Sequence, residues 1–303
     1  MGSSFIRYVL SKKDFSGQIS NLDLLTYAGN LENLEEIEQD SRYCFYHGDI
    51  RDRAFLETLD PIDVIVHFAA ETHVDRSITG PKVFLETNIW GTYQLLEFVK
   101  KHPTIHFHQI STDEVYGALG KEGVFTESSP YRPNSPYSAS KASADHLVRS
   151  YAETYGISTT LSHASNNYGP GQYPEKFIPL MIQRAKEGKP LPVYGNGKNR
   201  REWLFVEDHS QAIWQILEGG KKGEVYNVGG KDERSNIDLL HLILDLMEDK
   251  ELEKLITYVE DRPGHDFRYA MEGSKMKALG WEPEWSMEKG LRATIKWYDR
   301  VCL

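Results

Sequence analysis

The first half of the chain alternates short apolar runs with amphipathic stretches, the pattern of strand–helix units on a parallel sheet. YCFYHGDI (43–50) predicts a strand, followed by a helix near 51–59. VIVHFAA (64–70) predicts a second strand, and its unbroken apolar character predicts burial on both faces. Val83, Leu85, Ile89, Tyr93 and Leu96 recur at helical spacing across 82–101. HFHQIST (106–112) predicts a third strand ending where polar residues begin, and a long helix is expected from about Pro136 to Tyr155.

From about residue 170 the texture changes. Pro and Gly become frequent (YGPGQYPEKFIP, GKPLPVYGNGKN), and helices and strands alternate less regularly. EVYNVGG (224–230) predicts a strand, and 238–248 a helix with Leu239, Leu242, Ile243 and Leu246 on one face. The expected architecture is α/β: a doubly wound parallel sheet over 1–170 and a smaller, loop-rich domain over most of 171–303. The second domain covers the strand ends and returns some segments to the first.

The 303 residues are enough to bury a core without staples. Thirty-five basic against 45 acidic side chains give a net charge of −10, which argues against non-specific nucleic-acid binding. A local Arg/Lys cluster could still hold a diphosphate. Cys44 and Cys302 form neither a disulfide framework nor a zinc spacing and suit a reducing compartment. No apolar run approaches the roughly 18 residues of a membrane span. MGSSFIRYVLSKKDF has no apolar leader core or cleavage site, so a cytoplasmic place is expected. His106 and His108 alternate along a strand and could share one side as metal ligands, and His73 and Asp75 make a similar pair. No third ligand is apparent, so no metal is expected. Trp203, Trp214, Trp281, Trp285 and Trp297 read as packing residues in surroundings too acidic for a nucleic-acid groove.

The strongest local chemistry is YSASK, which puts Tyr137 and Lys141 at i and i+4 on one helix face. A neighbouring ammonium stabilises phenolate; lowering the phenol by about three pKa units asks for roughly 4 kcal/mol. A Tyr so tuned could take a proton from a sugar hydroxyl while hydride leaves the same carbon. Upstream, Thr112, Asp113 and Glu114 sit where a buried strand stops, and ligands bind beyond the carboxyl ends of such strands. Adjacent carboxyls should split their pKa values, giving one protonated acid beside one ionised base, as elimination of water requires. The plain alternative is a turn start with capping acids.

HFAAETHVDRSI (67–78), ETNIWGT (86–92), ISTDEVYG, YSASKASADH, SNNYGPGQYPEKFIPL, PVYGNG, REWLFVEDH, YNVGG and RPGHD follow one another in this order. Together they resemble the extended short-chain dehydrogenase/reductase family over essentially the whole chain, and within it the sugar-nucleotide dehydratases. The Thr-Asp-Glu triplet discriminates: related epimerases and decarboxylases share the Tyr and Lys but differ there. The resemblance implies a Rossmann-type fold, NAD as a bound and recycled cofactor, and dTDP-glucose as substrate. Tyr137, helped by Lys141, would take the 4-hydroxyl proton. Glu114 would remove the C5 proton, Asp113 would protonate the departing 6-hydroxyl, and Thr112 would bond the 4-oxygen.

By the same resemblance Asp23, 21 residues after Gly2, would bind the adenosine ribose. Asp49 and Ile50 would lie by the adenine, and Ala69, Ala70, Thr87 and Asn167 along the nicotinamide arm. Thr72, Asn166, Glu175, Lys176, Phe177, Pro192, Tyr194, Arg201, Asn236, Arg262 and His265 fall on substrate positions, with Lys176, Arg201 and Arg262 supplying positive charge for the diphosphate. The 82–101 and Tyr137 helices would pair two copies into a homodimer. Two departures stand out. Only MGSS stands where the family has a first strand and a GxxGxxG loop, so Gly2 takes the last glycine's place and the strand and most of the loop are expected to be missing. NRREWL carries Arg200 and Glu202 where an aliphatic residue and Asp are usual. The remaining alternatives are another sugar-nucleotide enzyme, such as an epimerase or decarboxylase, and a cofactor-poor, non-catalytic relative.

Overall fold

The computed structural model describes residues 1–59 and 61–301; Cys302 lies outside them. In chain order it has α1 (Gly2–Ser11), β1 (Ile19–Asp23), β2 (Tyr43–His47), α2 (Arg53–Leu56), β3 (Val64–His67), α3 (Val74–Thr79), α4 (Lys82–Phe84), α5 (Thr92–Lys101), β4 (His106–Thr112), α6 (Pro136–Tyr155), β5 (Ser158–Ala164) and β6 (Asn166–Tyr168). The second half adds α7 (Phe177–Lys186), β7 (Leu191–Tyr194), β8 (Arg200–Phe205), α8 (Val206–Gly219), β9 (Val225–Val228), β10 (Asp232–Ser235), α9 (Asn236–Leu246), β11 (Ile256–Val259), α10 (Ser274–Ala278) and α11 (Met287–Val301).

The first-half strands are parallel, as their pattern predicts, but they lie in two sheets: β1 with β2, and β3–β4–β5–β9. Helix α1 joins the two through its side chains. Ile6 and Leu10 pack with Ile19 and Tyr43 on the small sheet, while Phe5 and Val9 pack with Ile110 and Val66 on the large one. Helices α5 and α6 lie together against the large sheet, and α8 contacts α1, β5 and β9.

Three elements depart from their sequence pattern. The apolar run at 64–70 is not buried on both faces. Strand β3 is only four residues long and bonds to β4 alone, at the sheet's edge, which leaves Val64 43 % exposed. The helix expected at 51–59 is the single turn α2. The helix over 82–101 is interrupted at Leu85–Gly91 by wide π-type turns. These rotate the buried face onto Phe84, Asn88, Leu95 and Val99, so Val83 and Leu85 stay exposed although Leu96 is buried.

Strand β4 keeps its predicted bounds and is bonded on both sides. Its histidines do share one side, where β5 hydroxyls meet them. His106 lies 2.8 Å from Ser158 and 2.9 Å from Thr160, and His108 lies 2.8 Å from Thr160 and 3.1 Å from Ser162. Burial pushes His108 down to about 3, so it is a neutral member of a hydroxyl ladder. Helix α6 also starts and ends as predicted. Ser135 and Ser138 form a reciprocal cap, Pro136 opens the first turn, and Gly156 closes the helix at φ 68°.

In the second half, β6–β8–β10 and β7–β11 form two small sheets. Their core joins α7, α9 and α11 through Ile178, Ile182, Leu239, Ile243 and Leu291. Leu239 and Ile243 are fully buried as their spacing predicts, whereas Leu242 and Leu246 are only partly so. Leu240 and Leu244 are buried too, because α9 is covered by both α7 and α11. Ile243→Ala is expected to cost about 2–5 kcal/mol through the cavity it leaves, read as a lower thermal unfolding midpoint. Trp203 and Trp281 are buried, and Trp285 stacks on Phe205 at 4.2 Å. Among the described residues no helix is long and apolar enough to cross a membrane.

Candidate functional site

The large sheet delivers chemistry at the carboxyl end of β4. Thr112, the last residue of the strand, caps a short turn over Asp113–Tyr116 by accepting from the Glu114 N–H at 3.3 Å. The capping role expected of a plain turn is therefore real, but both acids are also held in the protein. Thr112 Oγ1 donates to Asp113 Oδ1 at 3.2 Å, and Asp113 Oδ2, buried, has no hydrogen-bond partner in the protein. Burial, then Glu114, then Glu202 push Asp113 well above the usual carboxyl range. Glu114 is also raised by burial, while Arg201 and Lys176 pull it back. The two acids thus differ as the adjacent-carboxyl argument requires, with Asp113 the one favoured to keep a proton.

The cap of α6 sets Tyr137 in the helix's first turn, 8 % exposed, with its hydroxyl at Thr112 and its ring edge-on to Phe84 at 6.3 Å. Lys141 is buried one turn later. Its Nζ donates to the Ile110 carbonyl at 2.7 Å. The expected lowering of Tyr137 by this ammonium is not what the protein's own groups produce. Burial, followed by the Glu114 charge, pushes the phenol up.

The predicted substrate residues gather over this edge. The Lys176 Nζ donates to the Thr72 carbonyl at 2.7 Å. Arg262 lies 3.3 Å from Asp75 and 4.6 Å from the Tyr194 ring centre, and the Tyr194 hydroxyl donates to Asp75 at 3.4 Å. Lys176, Arg201 and Arg262 all act on Glu114. Arg201 is buried and gives its N–H groups to the carbonyls of Arg200, Asp266 and Phe267, so its charge rather than its free donors serves the site. Glu175 accepts from Tyr27 at 2.9 Å and faces Arg76 at 3.3 Å. Phe177 opens α7 against Trp203, and Pro192 lies two residues before Tyr194 on β7. His265 bonds Asp261 at 2.6 Å, and Asn236 begins α9.

The predicted cofactor residues occupy the ends of the neighbouring strands. Asp23 closes β1 and accepts from the Leu25 N–H at 2.8 Å. Asp49 follows β2; burial alone would raise it, but its bonds to Arg51 hold it below the ordinary value. Ile50 is buried beside it. Ala69 and Ala70 follow β3, Thr87 sits in the wide turns, and Gly2 opens α1 against Phe68. Ser165 Oγ, Asn166 Oδ1 and Asn167 Oδ1 are buried at the end of β5 with no protein partner. Polar atoms left open at one strand end fit a polar ligand there.

Sequence reasoning overlooked the groups that hold these residues in place. Asn88 exchanges hydrogen bonds with the backbone of Glu71 at 2.8 and 3.0 Å and donates to Ser140 at 2.8 Å, pinning the loop after β3 to α6. Asp266 accepts from Tyr269 and from Asn134, next to Arg201. The only signal was that Asn88 and Ser140 fall inside motifs already singled out.

These strand-end acids and the Tyr137–Lys141 pair on a parallel sheet define an NAD-binding enzyme of Rossmann type. The chain matches the GDP-mannose 4,6 dehydratase family over residues 1–294 and belongs to it. It is 48 % identical to the dTDP-glucose 4,6-dehydratase of Salmonella typhimurium, over 98 % of this chain and 90 % of that one. The dTDP-glucose 4,6-dehydratase of Streptomyces venezuelae, with NAD bound, matches with a TM-score of 0.96 and 44 % identity over 99 % of this chain and 94 % of that one. The Bacillus anthracis dTDP-glucose 4,6-dehydratase in complex with NAD gives 0.91 and 47 % over 99 % and 93 %.

Proposed function

We propose that the protein converts dTDP-glucose to dTDP-4-keto-6-deoxyglucose and water. The observation that carries this reading is the buried Asp113 next to the half-buried Glu114 beside Tyr137: an epimerase or decarboxylase has no use for an acid and a base at neighbouring positions. NAD, when bound, supplies the hydride acceptor for C4 and the donor for C6, so no net oxidation occurs. Tyr137 takes the 4-hydroxyl proton, with Thr112 holding the same oxygen. The resulting 4-ketone acidifies the C5 proton, which Glu114 removes. Asp113 gives its proton to the departing 6-hydroxyl, water leaves, and Glu114, its proton exchanged with solvent, returns one to C5 of the unsaturated ketone.

Lys176, Arg201 and Arg262 supply charge for the diphosphate, with Thr72, Asn166, Glu175, Phe177, Pro192, Tyr194, Asn236 and His265 shaping the rest of the substrate cleft. Gly2, Asp23, Asp49, Ile50, Ala69, Ala70, Thr87 and Asn167 hold the dinucleotide. On this reading residues 1–170 form the cofactor domain and most of 171–303 the sugar-nucleotide domain. A cytoplasmic place suits the two unpatterned cysteines.

The same reading includes a homodimer. Leu85 and Trp90, 49 % and 51 % exposed on the stretch before α5, offer apolar surface suited to a second copy. Light scattering on the eluting protein is expected to give a dimer, and Trp90→Glu a monomer.

The test of the activity is mass spectrometry of dTDP-glucose incubated with the protein in deuterated water, with and without added NAD. Loss of one water with one deuterium at C5 is the expected result. No conversion with saturating NAD overturns the proposal.

A further inference from the structure

Beneath the Tyr137–Lys141 pair lies a charged group that the proposed mechanism does not use. Asp145 sits one helical turn after Lys141 on α6, 2 % exposed. Four-residue spacing puts the two side chains on the same helix face, about 5–6 Å apart at their Cβ atoms. A buried ammonium is costly unless an anion balances it. Lys141 spends one N–H on the Ile110 carbonyl, which carries no charge, and the anion acting on it is Asp145.

The surroundings of Asp145 leave one of its two oxygens without a hydrogen bond. Its Oδ2 accepts from Ser111 on β4 at 2.6 Å and lies 3.2 Å from His163 Nε2 on β5, while Oδ1 is buried without a hydrogen-bond partner. The direction of the bonds at His163 can be followed outward. Asn227 donates its amide to the Phe125 carbonyl, so its Oδ1 accepts from the Tyr116 hydroxyl at 2.9 Å. That hydroxyl therefore accepts from His163 Nδ1 at 2.7 Å. His163 Nε2 lies between the Tyr131 hydroxyl at 2.9 Å and Asp145 Oδ2 at 3.2 Å. The other titratable groups facing this pair are His67 from β3, which feels Lys141, and Tyr137 on the same helix, which feels Asp145.

We propose that Asp145 is a positioning residue for the reaction: its carboxylate is the counter-charge that keeps Lys141 an ammonium behind Tyr137. This rests on the proposed function only through the assay used to read it. The device sets the alkaline limit of C4 oxidation, the step Tyr137 serves, whereas Asp113 limits the later loss of water. As pH rises, Lys141 is the group that loses its charge, and it loses it later because Asp145 is there. At an effective dielectric near 20 and this separation the coupling corresponds to about two pH units.

The test compares the wild type with Asp145→Asn and Asp145→Glu. The alkaline limb of C4 oxidation, followed as reduced-cofactor absorbance in a single turnover, is expected to move down by about two pH units in Asp145→Asn and to stay at the wild-type position in Asp145→Glu, even where the rate itself falls. Competitive acetic-anhydride labelling of Lys141 in the cofactor-free protein, followed by peptide mass spectrometry, should show the same displacement without any turnover. A uniform fall in the rate of C4 oxidation with its limb and the labelling curve unmoved in Asp145→Asn overturns the proposal. So does a downward shift in Asp145→Glu, which can be read even if the Asn variant does not fold. A wild-type protein that does not convert dTDP-glucose sinks the proposed function instead, and the labelling curves still decide the role of Asp145.

Discussion

Replacing Glu114 by Gln is expected to slow water loss by about 10²–10⁴-fold while oxidation at C4 survives. The exchange keeps shape and burial but removes the base, so the C5 proton stays in place. In deuterated water the nucleotide should therefore acquire no deuterium at C5, and borodeuteride trapping should still find a 4-keto sugar. The pH behaviour follows from the same residues. Glu114 acts as a base only when ionised, and burial raises its pKa despite Arg201 and Lys176, so dehydration falls off as pH drops through that raised value. Asp113 acts only when protonated, and burial and the Glu114 charge hold its pKa well up, so the opposite limb comes as pH rises through it. The two limbs belong to the coupled pair. Glu114 is also the leading charge raising Tyr137, so C4 oxidation in the Gln variant should extend to lower pH than in the wild type. Normal dehydration by Glu114→Gln would refute the role given to this residue.

What the sequence disclosed about the fold depended on whether a local signal matched the global surroundings. Strand β4 and helix α6 kept their predicted bounds because both carry their own limits. HFHQIST runs into polar residues, and the Ser135-Pro136…Gly156 frame caps the helix at each end. The run at 64–70 lacked such information. An apolar stretch reads the same in a central strand as in an edge strand, and only the pairing of β3 with β4 alone decides its exposure. Periodicity found the helix at 82–101 but could not register the wide turns that rotate its buried face.

The site divides in the same way. Residues that touch the reaction sit in short, dense motifs, so Thr112, Asp113, Glu114, Tyr137 and Lys141 could be picked out together. The groups that hold them come from distant segments. Asn88 reaches Ser140, Lys176 reaches Thr72 and Asn134 reaches Asp266, links no linear pattern announces. The departure at Glu202 has a structural account. Its two carboxylate oxygens accept from the backbone N–H groups of Lys231 and Met271, tying β8 to both flanking segments, and its charge helps hold Asp113 protonated. Arg200 pairs with Glu233 on β10, the antiparallel neighbour of its own strand.

Tyr137→Phe acts one step earlier than Glu114→Gln and is expected to have the larger overall consequence. Removing one hydroxyl from a ring that packs edge-on to Phe84 leaves the cap of α6 and the fold in place. It takes away the group that receives the 4-hydroxyl proton, and it leaves the Thr112 hydroxyl without that neighbour. Burial and Glu114 hold the phenol above its ordinary value, and Lys141 does not bond to it directly. Its proton transfer therefore relies on positive charge arriving with the bound nucleotide and on the ammonium behind it. Without the hydroxyl, oxidation at C4 should fall by about 10²–10⁴-fold. Since acidification of C5 follows from the ketone, deuterium incorporation and water loss should fall by the same factor. Trapping would then find neither the 4-keto sugar nor the deoxy product, whereas Glu114→Gln yields the first without the second. The double variant should be no slower than Tyr137→Phe alone, because a base has no work where no ketone forms. A Tyr137→Phe protein that still exchanges the C5 proton would show that another group receives the 4-hydroxyl proton.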